Sequence, residues 1–138
     1  MSLGPEIPKG DLTMRTLAMP AAANPSGDIF GGWVLSQMDI AGGICAAQRA
    51  QGRVVTVAIE AMKFIRPVYV GDVLCVYCNI EREGRTSIAI RIEAWALRQR
   101  LGDRVRVTDG VFTFAAIDQT RRPRPLPART TAELRRAR

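Results

Sequence analysis

Between Ile29 and Gln48 the sequence runs for twenty residues with one charged side chain, Asp39, near the middle. Apolar residues recur at spacings of three or four, which is the pattern of an α-helix. An aspartate at the centre of a membrane span would cost about 2.5–3.5 kcal/mol, so a transmembrane helix is disfavoured. Small residues such as Gly42 and Ala46 would let a sheet approach closely. The segment therefore predicts a long helix buried inside the protein.

The segments on either side of this helix predict β-strands. One short strand is expected before the helix, at residues 14–19, and four follow it, at residues 53–65, 73–81, 86–97 and 105–117. Apolar side chains alternate along these segments, and turn residues separate them. We interpret the last four strands as a succession of hairpins, which gives antiparallel pairing. One helix wrapped by one curved antiparallel sheet is an α+β fold.

Charge is distributed unevenly along the 138 residues, a length that suits one domain. The net charge is +7, but residues 119–138 hold seven arginines and one glutamate, so the remainder is almost neutral. This Pro- and Arg-rich segment predicts a disordered or loosely attached C-terminal tail, and residues 1–11 a flexible N-terminus. No aromatic stacking platform accompanies the arginines, so nucleic acid is not an expected partner, and neither is a membrane.

The chain contains no histidine, which excludes Ser-His-Asp and Cys-His catalysis and a histidine zinc site. Proton transfer would have to use Asp, Glu, Lys, Tyr or Cys. Three cysteines are present, Cys45, Cys75 and Cys78, and the last two lie three apart on a predicted strand, so they point to opposite faces. We interpret all three as packing cysteines in a reducing compartment. With no signal-peptide pattern at the N-terminus, this predicts a cytoplasmic protein.

Asp39 and the loop before the helix are the first candidates for chemistry. A carboxylate in an apolar helix is costly unless it is paired, hydrogen-bonded or hydrated, and it fits a structural ion pair as well as a catalytic role. The loop leads into Gly31 and Gly32, whose backbone N–H groups would favour a developing oxyanion. The alternative is an ordinary start of a helix, with Asn24 or Asp28 as a cap or turn residue.

Basic and hydroxyl side chains at strand ends are the second candidates. Gly84-Arg85-Thr86-Ser87, with Arg53 and Arg66, offers donors suited to phosphate or pyrophosphate. Any one of these arginines could equally be a solvated surface charge. No glycine-rich nucleotide loop accompanies them.

These segments together resemble the YciA-type acyl-CoA thioesterases, which have the hotdog fold. The similarity covers residues 14–118, within a predicted domain at 12–118. Its longest parts are Asn-Pro-Ser-Gly-Asp-Ile-Phe-Gly-Gly-Trp at 24–33 and Ser-Gln-Met-Asp at 36–39. It continues through Gly-Arg-Val-Val-Thr-Val at 52–57, Phe-Ile-Arg-Pro at 64–67, Val-Gly-Asp-Val at 70–73 and Gly-Arg-Thr-Ser at 84–87.

The resemblance implies hydrolysis of acyl-CoA to a free acid and coenzyme A. The family's helix carboxylate corresponds to Asp39, acting as general base or nucleophile, and its loop asparagine to Asn24. The thioester carbonyl would lie near the N–H of Gly31 or Gly32, with Thr56 as a weaker candidate in the same site. The phosphates of coenzyme A would be bound by basic and hydroxyl groups such as Arg66, Arg85, Thr86 and Ser87, with Arg53 as a further donor. No metal is expected, which fits the absence of histidine, and no separate cofactor, because coenzyme A enters as part of the substrate.

The resemblance also implies dimers with a continuous sheet, assembled as trimers of dimers, and active sites at the dimer interface. Apolar Trp95 and Leu97 on the second face of a predicted strand also indicate self-association, because one small chain cannot cover both faces of its sheet. A non-catalytic acyl-CoA-binding protein of the same fold is the alternative. Asp39 and Asn24, both present here, argue against it. A dehydratase of this fold usually needs a histidine, which the chain lacks.

Overall fold

The computed structural model describes residues 6–98 and 102–136. One long helix, α1, packs on a five-stranded antiparallel sheet, so the predicted α+β architecture is confirmed. The strands are β1 (Asp11–Leu17), β2 (Val54–Ile59), β3 (Val73–Glu83), β4 (Ser87–Leu97) and β5 (Arg104–Ala116). The helices are α1 (Gly31–Ala50) and α2 (Thr131–Arg136), with a short 3₁₀ turn at Pro20–Ala22.

The strand order is β1-β3-β4-β5-β2, and it corrects the predicted succession of four hairpins. β3, β4 and β5 do follow one another as hairpins, but β2 pairs with β5, with Thr56 opposite Phe114. β2 also ends at Ile59 instead of residue 65. Residues 60–67 continue beside β5 without regular strand pairing, where the Ile65 N–H donates to the Val107 carbonyl at 2.8 Å. The connection at 60–72 is too long for a hairpin loop, which is why β2 and β3 are not neighbours.

The core lies between α1 and the inner face of the sheet. Gly42 is where they approach most closely: a Cβ there would lie 2.5 Å from Ile92 Cδ1 and 2.8 Å from the Phe114 ring. The predicted reason for a glycine in this helix is therefore correct at Gly42. Gly43, its neighbour, has nothing within 4 Å of such a Cβ. The buried side of the helix is formed by Val34, Met38, Ala41, Gly42, Ala46 and Ala50.

The outer face of the sheet carries a second apolar cluster of Cys75, Tyr77 and Trp95. Trp95 is only 2% exposed, and its indole N–H donates to Glu93 Oε1 at 2.9 Å. The same carboxylate accepts the backbone N–H of Lys9 at 3.2 Å, which brings the N-terminal segment onto this face. The chain covers Trp95 itself, so the argument for self-association from this residue is wrong. The sequence predicts a flexible N-terminus at residues 1–11, and residues 1–5 of this segment lie outside the described residues.

The C-terminal segment is attached to the domain by main-chain and side-chain contacts. The Leu126 N–H donates to the Arg85 carbonyl at 2.9 Å, and the Arg124 N–H to the Ala116 carbonyl at 3.0 Å. Arg49 Nη1 donates to the Pro127 carbonyl at 2.8 Å. The prediction of a disordered or loosely attached tail is therefore wrong for residues 119–130. Composition identifies a polar, proline-rich segment but cannot identify the groups elsewhere in the chain that bind it.

Glu83 connects this segment to the end of α1. Its carboxylate accepts from Arg49 Nη2 at 2.9 Å and Nε at 2.8 Å, and it also pairs with Arg129. The hydrogen bond from Arg49 is the main reason that the pKa of Glu83 lies below its usual value, and Arg129 lowers it further against the opposing effect of burial. A carboxylate with a lowered pKa stabilises the fold above its unfolded pKa and loses that contribution as the pH falls through its folded pKa.

We expect Glu83→Gln to lower the melting temperature at pH 7 by a few degrees, since 1 kcal/mol shifts a domain of this size by roughly 3–5 °C. The difference from the wild type should shrink as the pH falls below the ordinary value of 4.5. Thermal unfolding between pH 3 and 7 measures this. Glu60→Gln is the control, because Glu60 is exposed and lies 3.8 Å from Arg82. A Glu83→Gln effect that does not change with pH would contradict the ion-pair explanation.

Candidate functional site

Asp39 and Thr56 meet where β2 passes beside α1. Gln51 ends the helix in the left-handed conformation, with φ of 52°, and the chain turns back into β2. This return brings the Thr56 hydroxyl to the half-buried Asp39, and Thr56 Oγ1 donates to Asp39 Oδ1 at 2.6 Å. The hydrogen bond orients the carboxylate and occupies one of its oxygens. Asp39 Oδ2 is then the oxygen best placed to act on a substrate.

Asn24 organises the loop before α1. Its Oδ1 accepts the backbone N–H groups of Ser26 at 2.9 Å and Asp28 at 3.1 Å, so its turn role is observed. Its side-chain amide nitrogen remains as the group that can contact a substrate, and a catalytic role for it stays a prediction. Ile29 holds the loop to the domain through its N–H, which donates to the Val68 carbonyl at 2.9 Å.

Gly31 and Gly32 begin α1 and are both exposed. Phe30 is the N-cap residue and provides no side-chain cap, and the first turn has no acidic residue. Within the described ranges, neither glycine N–H donates a hydrogen bond. The first N–H groups of a helix lack intrahelical partners and favour negative charge. This end of α1 can therefore bind an oxyanion.

One chain does not bring the glycine N–H groups and Asp39 to the same point. Eight residues separate Gly31 from Asp39, which corresponds to about 12 Å along a helix. An oxyanion donor and a base acting on one thioester must each lie about 3 Å from the reacting atoms. Within a single protomer the two halves of the predicted site are too far apart to share a substrate.

The predicted phosphate-binding residues divide between two ends of the sheet. Arg85 and Thr86 lie in the β3–β4 turn, Ser87 opens β4, and Arg53 precedes β2, all at the end where Ala115 pairs with Ser87. Arg66 lies elsewhere, because its Nη1 donates to the Arg106 carbonyl at 2.9 Å near the start of β5. About ten strand residues, or roughly 30 Å, separate that position from the end of β5. Arg66 is therefore not grouped with the other four residues within one chain.

Arg124 lies at the same end of the sheet as Arg53 and Arg85, although its position in the sequence places it in the C-terminal tail. Its Nε donates to the Ile117 carbonyl at 3.1 Å, and its Nη2 lies 2.5 Å from where a Cβ on Gly52 would be. Among the described residues this buried Nη2 has no hydrogen-bond partner. Arg124 adds positive charge beside Arg53. No spacing in the sequence indicates this, because the contact depends on the path of the segment after Ile117.

No helix in the described ranges has the length and hydropathy needed to cross a membrane.

Residues 26–103 match the family model of the thioesterase superfamily. Among curated proteins, the acyl-CoA thioester hydrolase YciA of Escherichia coli is 50% identical over 130 residues, which cover 92% of this chain and 98% of that protein.

Two solved structures are similar over nearly the whole chain. The first is an aspartate-to-alanine mutant of a hexameric broad specificity acyl-coenzyme A thioesterase, with a TM-score of 0.87, 50% identity, and coverage of 94% of this chain and 95% of that one. The second is a hexameric hotdog fold thioesterase of Campylobacter jejuni, with a TM-score of 0.81, 34% identity, and coverage of 93% and 96%. The hotdog fold expected from the sequence is confirmed.

Proposed function

The chain belongs to the thioesterase superfamily, among the YciA-type acyl-CoA thioester hydrolases, and from this membership we propose how its residues perform the hydrolysis. The enzyme hydrolyses acyl-CoA to a free carboxylic acid and coenzyme A. The observation that carries the proposal is the Asp39 carboxylate, held by the Thr56 hydroxyl at 2.6 Å on an otherwise uncharged stretch of α1.

Asp39 Oδ2 removes a proton from a water molecule, and the resulting hydroxide attacks the thioester carbonyl carbon. The tetrahedral intermediate then collapses and releases coenzyme A as a thiolate, which takes up the proton held by Asp39. We propose no separate cofactor, because coenzyme A enters as part of the substrate, and no metal, which fits a sequence without histidine. Direct attack by Asp39 would instead form a mixed anhydride. A single turnover in isotopically labelled water tests for the anhydride: label in Asp39 shows that water attacked the aspartyl carbonyl of an anhydride, which the hydroxide route cannot give.

The oxyanion is bound by the N–H groups of Gly31 and Gly32 from a second copy of the chain. The separation of about 12 Å along α1 supports this, because the donors and the base of one protomer cannot reach the same carbonyl. In the shared site, the Asn24 amide of the loop before the second copy's helix contacts the carbonyl or the water. Two copies related by a twofold axis would form two equivalent sites.

A cluster of exposed apolar side chains provides the surface for such a dimer. Val57 is 56% exposed and Phe30 51%, which is costly for large apolar groups in water. β2 is also an edge strand of the sheet, so a second β2 can extend the pairing. The exposed apolar residues of this surface are Phe30, Ile40, Ile44, Val57, Ile59 and Phe64. The similar solved proteins are hexameric, and we propose that three dimers of this chain form a hexamer.

Thr56→Val should lower kcat about tenfold with little change in KM, because the hydrogen bond that orients Asp39 is lost while the substrate contacts stay. Thr56→Ser keeps a hydroxyl and should restore most of the activity. Release of free thiol from acyl-CoA substrates of increasing chain length measures both variants. The same assay tests the alternative of an acyl-CoA-binding protein, which would release no thiol.

The phosphates of coenzyme A are bound by Arg85, Thr86 and Ser87, with Arg53 beside them. Arg85→Ala should raise KM for acyl-CoA about tenfold and leave kcat unchanged, because a phosphate contact is the same in the ground and transition states. With an acyl-pantetheine, which lacks the nucleotide, the same variant should behave as the wild type. Arg82→Ala is the matched control, since Arg82 is an exposed arginine paired with Glu60 and Glu81.

Loss of activity in Arg85→Ala toward both substrates would contradict a phosphate-specific contact.

The C-terminal segment is attached to the turn that carries Arg85, because the Leu126 N–H donates to the Arg85 carbonyl. Truncation of this segment is therefore expected to affect the turn. A disordered tail, as the composition of residues 119–138 suggests, would make removal of residues 128–138 change little. In the structure, however, the deletion removes Arg129, the ion-pair partner of Glu83, which is the last residue before the turn that carries Arg85. We therefore expect the deletion to loosen this turn and weaken binding of coenzyme A. The cytoplasmic location of the enzyme stays a prediction.

A further inference from the structure

Cys45 and Cys78 lie side by side between α1 and the sheet. Cys78 is buried on the inner face of β3, and Cys45 is a half-buried residue of α1 packed against the same core. Both side chains line the same cavity, and each thiol shifts the pKa of the other. Cys75 belongs to the cluster on the opposite face of the sheet, as the strand spacing predicts. The Cys45–Cys78 contact is not visible in the sequence, because it joins a helix to a distant strand.

The two cysteines line an open cavity of about 380 Å³, so a small molecule can reach Cys45. The neighbouring Cys78 thiol holds the pKa of Cys45 below its ordinary value against the effects of burial and Asp11. The pKa of Cys78 is raised by the neighbouring Cys45 and by burial, with Asp11 adding to this effect and the Thr13 hydroxyl opposing it. The other residues that line the cavity are Asp11, Asn79, Ile80, Arg129 and Glu133.

We propose that Cys45 and Cys78 form a redox-reactive dithiol site, in which Cys45 attacks a low-molecular-weight disulfide and Cys78 completes an intramolecular disulfide. In the first step the Cys45 thiolate bonds to one sulfur of the small disulfide, whose S–S bond breaks and releases one thiolate. That thiolate takes the proton of Cys78. The Cys78 thiolate then attacks the Cys45 sulfur and displaces the second small thiolate, which takes up a proton from water. The protein loses two electrons, and the small disulfide is reduced to two thiols.

The division of roles follows from the surroundings of each sulfur. The attacking thiol must be accessible, and Cys45 is the less buried of the two cysteines at the cavity. The resolving thiol needs to lie beside the first sulfur and not at the surface, which fits the buried Cys78 at the same cavity. The pair lies six residues, or about 9 Å of helix, beyond Asp39, and none of the residues proposed for hydrolysis takes part. The dithiol site therefore stands independently of the proposed hydrolase mechanism.

The experiment treats the reduced, full-length protein with oxidised glutathione, alkylates the remaining thiols, and measures intact mass and peptide maps. The wild type should lose two of its three alkylatable thiols and yield one peptide pair joined through Cys45 and Cys78. Cys78→Ala should stop at the mixed disulfide, with one glutathione attached to Cys45. Cys45→Ala should form neither product, and Cys78→Ser replaces the alanine variant if that variant does not fold.

Cys75→Ala is the matched control and should form the Cys45–Cys78 disulfide at the wild-type rate. The proposal is overturned if the wild type keeps three alkylatable thiols, if the bond joins two chains, or if Cys75 takes part in it. An absence of mixed disulfide in folded Cys78→Ala would overturn the assignment of Cys45 as the attacking thiol.

Discussion

Asp39→Asn should lower kcat for acyl-CoA hydrolysis by about 100- to 10,000-fold, the usual contribution of a positioned general base. Asparagine has nearly the same shape, and its Oδ1 can still accept the Thr56 hydroxyl, so the site keeps its geometry and loses only its proton acceptor. The melting temperature should change little, because Asp39 is half-buried and pairs with no cation in the described structure. Thiol release and thermal unfolding on the same preparation measure the two effects.

Asp103→Asn is the matched control for Asp39→Asn, because Asp103 is an exposed aspartate just before β5. It should retain wild-type turnover. A folded Asp39→Asn enzyme that releases thiol within a few-fold of the wild-type rate would contradict the assignment of Asp39.

Gly31→Pro should lower kcat by about 100- to 1,000-fold, the cost of removing one oxyanion donor in other hydrolases. Proline removes the N–H at this position but suits the first residue of a helix. Phe30, with φ of −57° and ψ of 136°, already has the extended conformation that a residue before proline requires. The substitution therefore deletes the donor with little disturbance of α1.

Gly31→Ala separates loss of the N–H from addition of a side chain. A Cβ at this position would lie 3.7 Å from the Phe64 ring, which is ordinary van der Waals contact. The alanine variant keeps its N–H and should remain close to wild type in kcat. Equal loss of activity in the alanine and proline variants would instead indicate that the space beside Phe64 matters and that the N–H does not.

Features that depend on local sequence were predicted well. The helix was expected at residues 29–48 and is found at Gly31–Ala50, because apolar spacing and the lack of charge are local properties. β3, β4 and β5 were placed within two residues of their observed bounds. The pairing of β2 with β5 was missed, because it joins segments distant in the chain. The attachment of the C-terminal segment was missed for the same reason, since it depends on Glu83 and Arg49.

The candidate site was predictable in part. Asp39 was identifiable as the one charge in an apolar helix, and the structure adds the Thr56 hydroxyl that orients it. The turn role of Asn24 was one of two alternatives, and its hydrogen bonds to Ser26 and Asp28 are now visible. The grouping of Arg85 with Arg53, and the separation of Arg66 from both, required the strand register. Residue type alone carries no information about which arginines share an end of the sheet.

The central claim is that each active site combines Asp39 of one protomer with the helix start of another, and a mixing experiment tests it directly. Asp39→Asn and Gly31→Pro, each nearly inactive alone, are unfolded and refolded together in equal amounts, and thiol release is measured. Random pairing makes half of the dimers mixed. In each mixed dimer one site combines the intact Asp39 of one chain with the intact Gly31 of the other, and the second site carries both substitutions. Activity should therefore recover to about a quarter of wild type. Activity that stays at the level of the two separate variants would contradict the shared site.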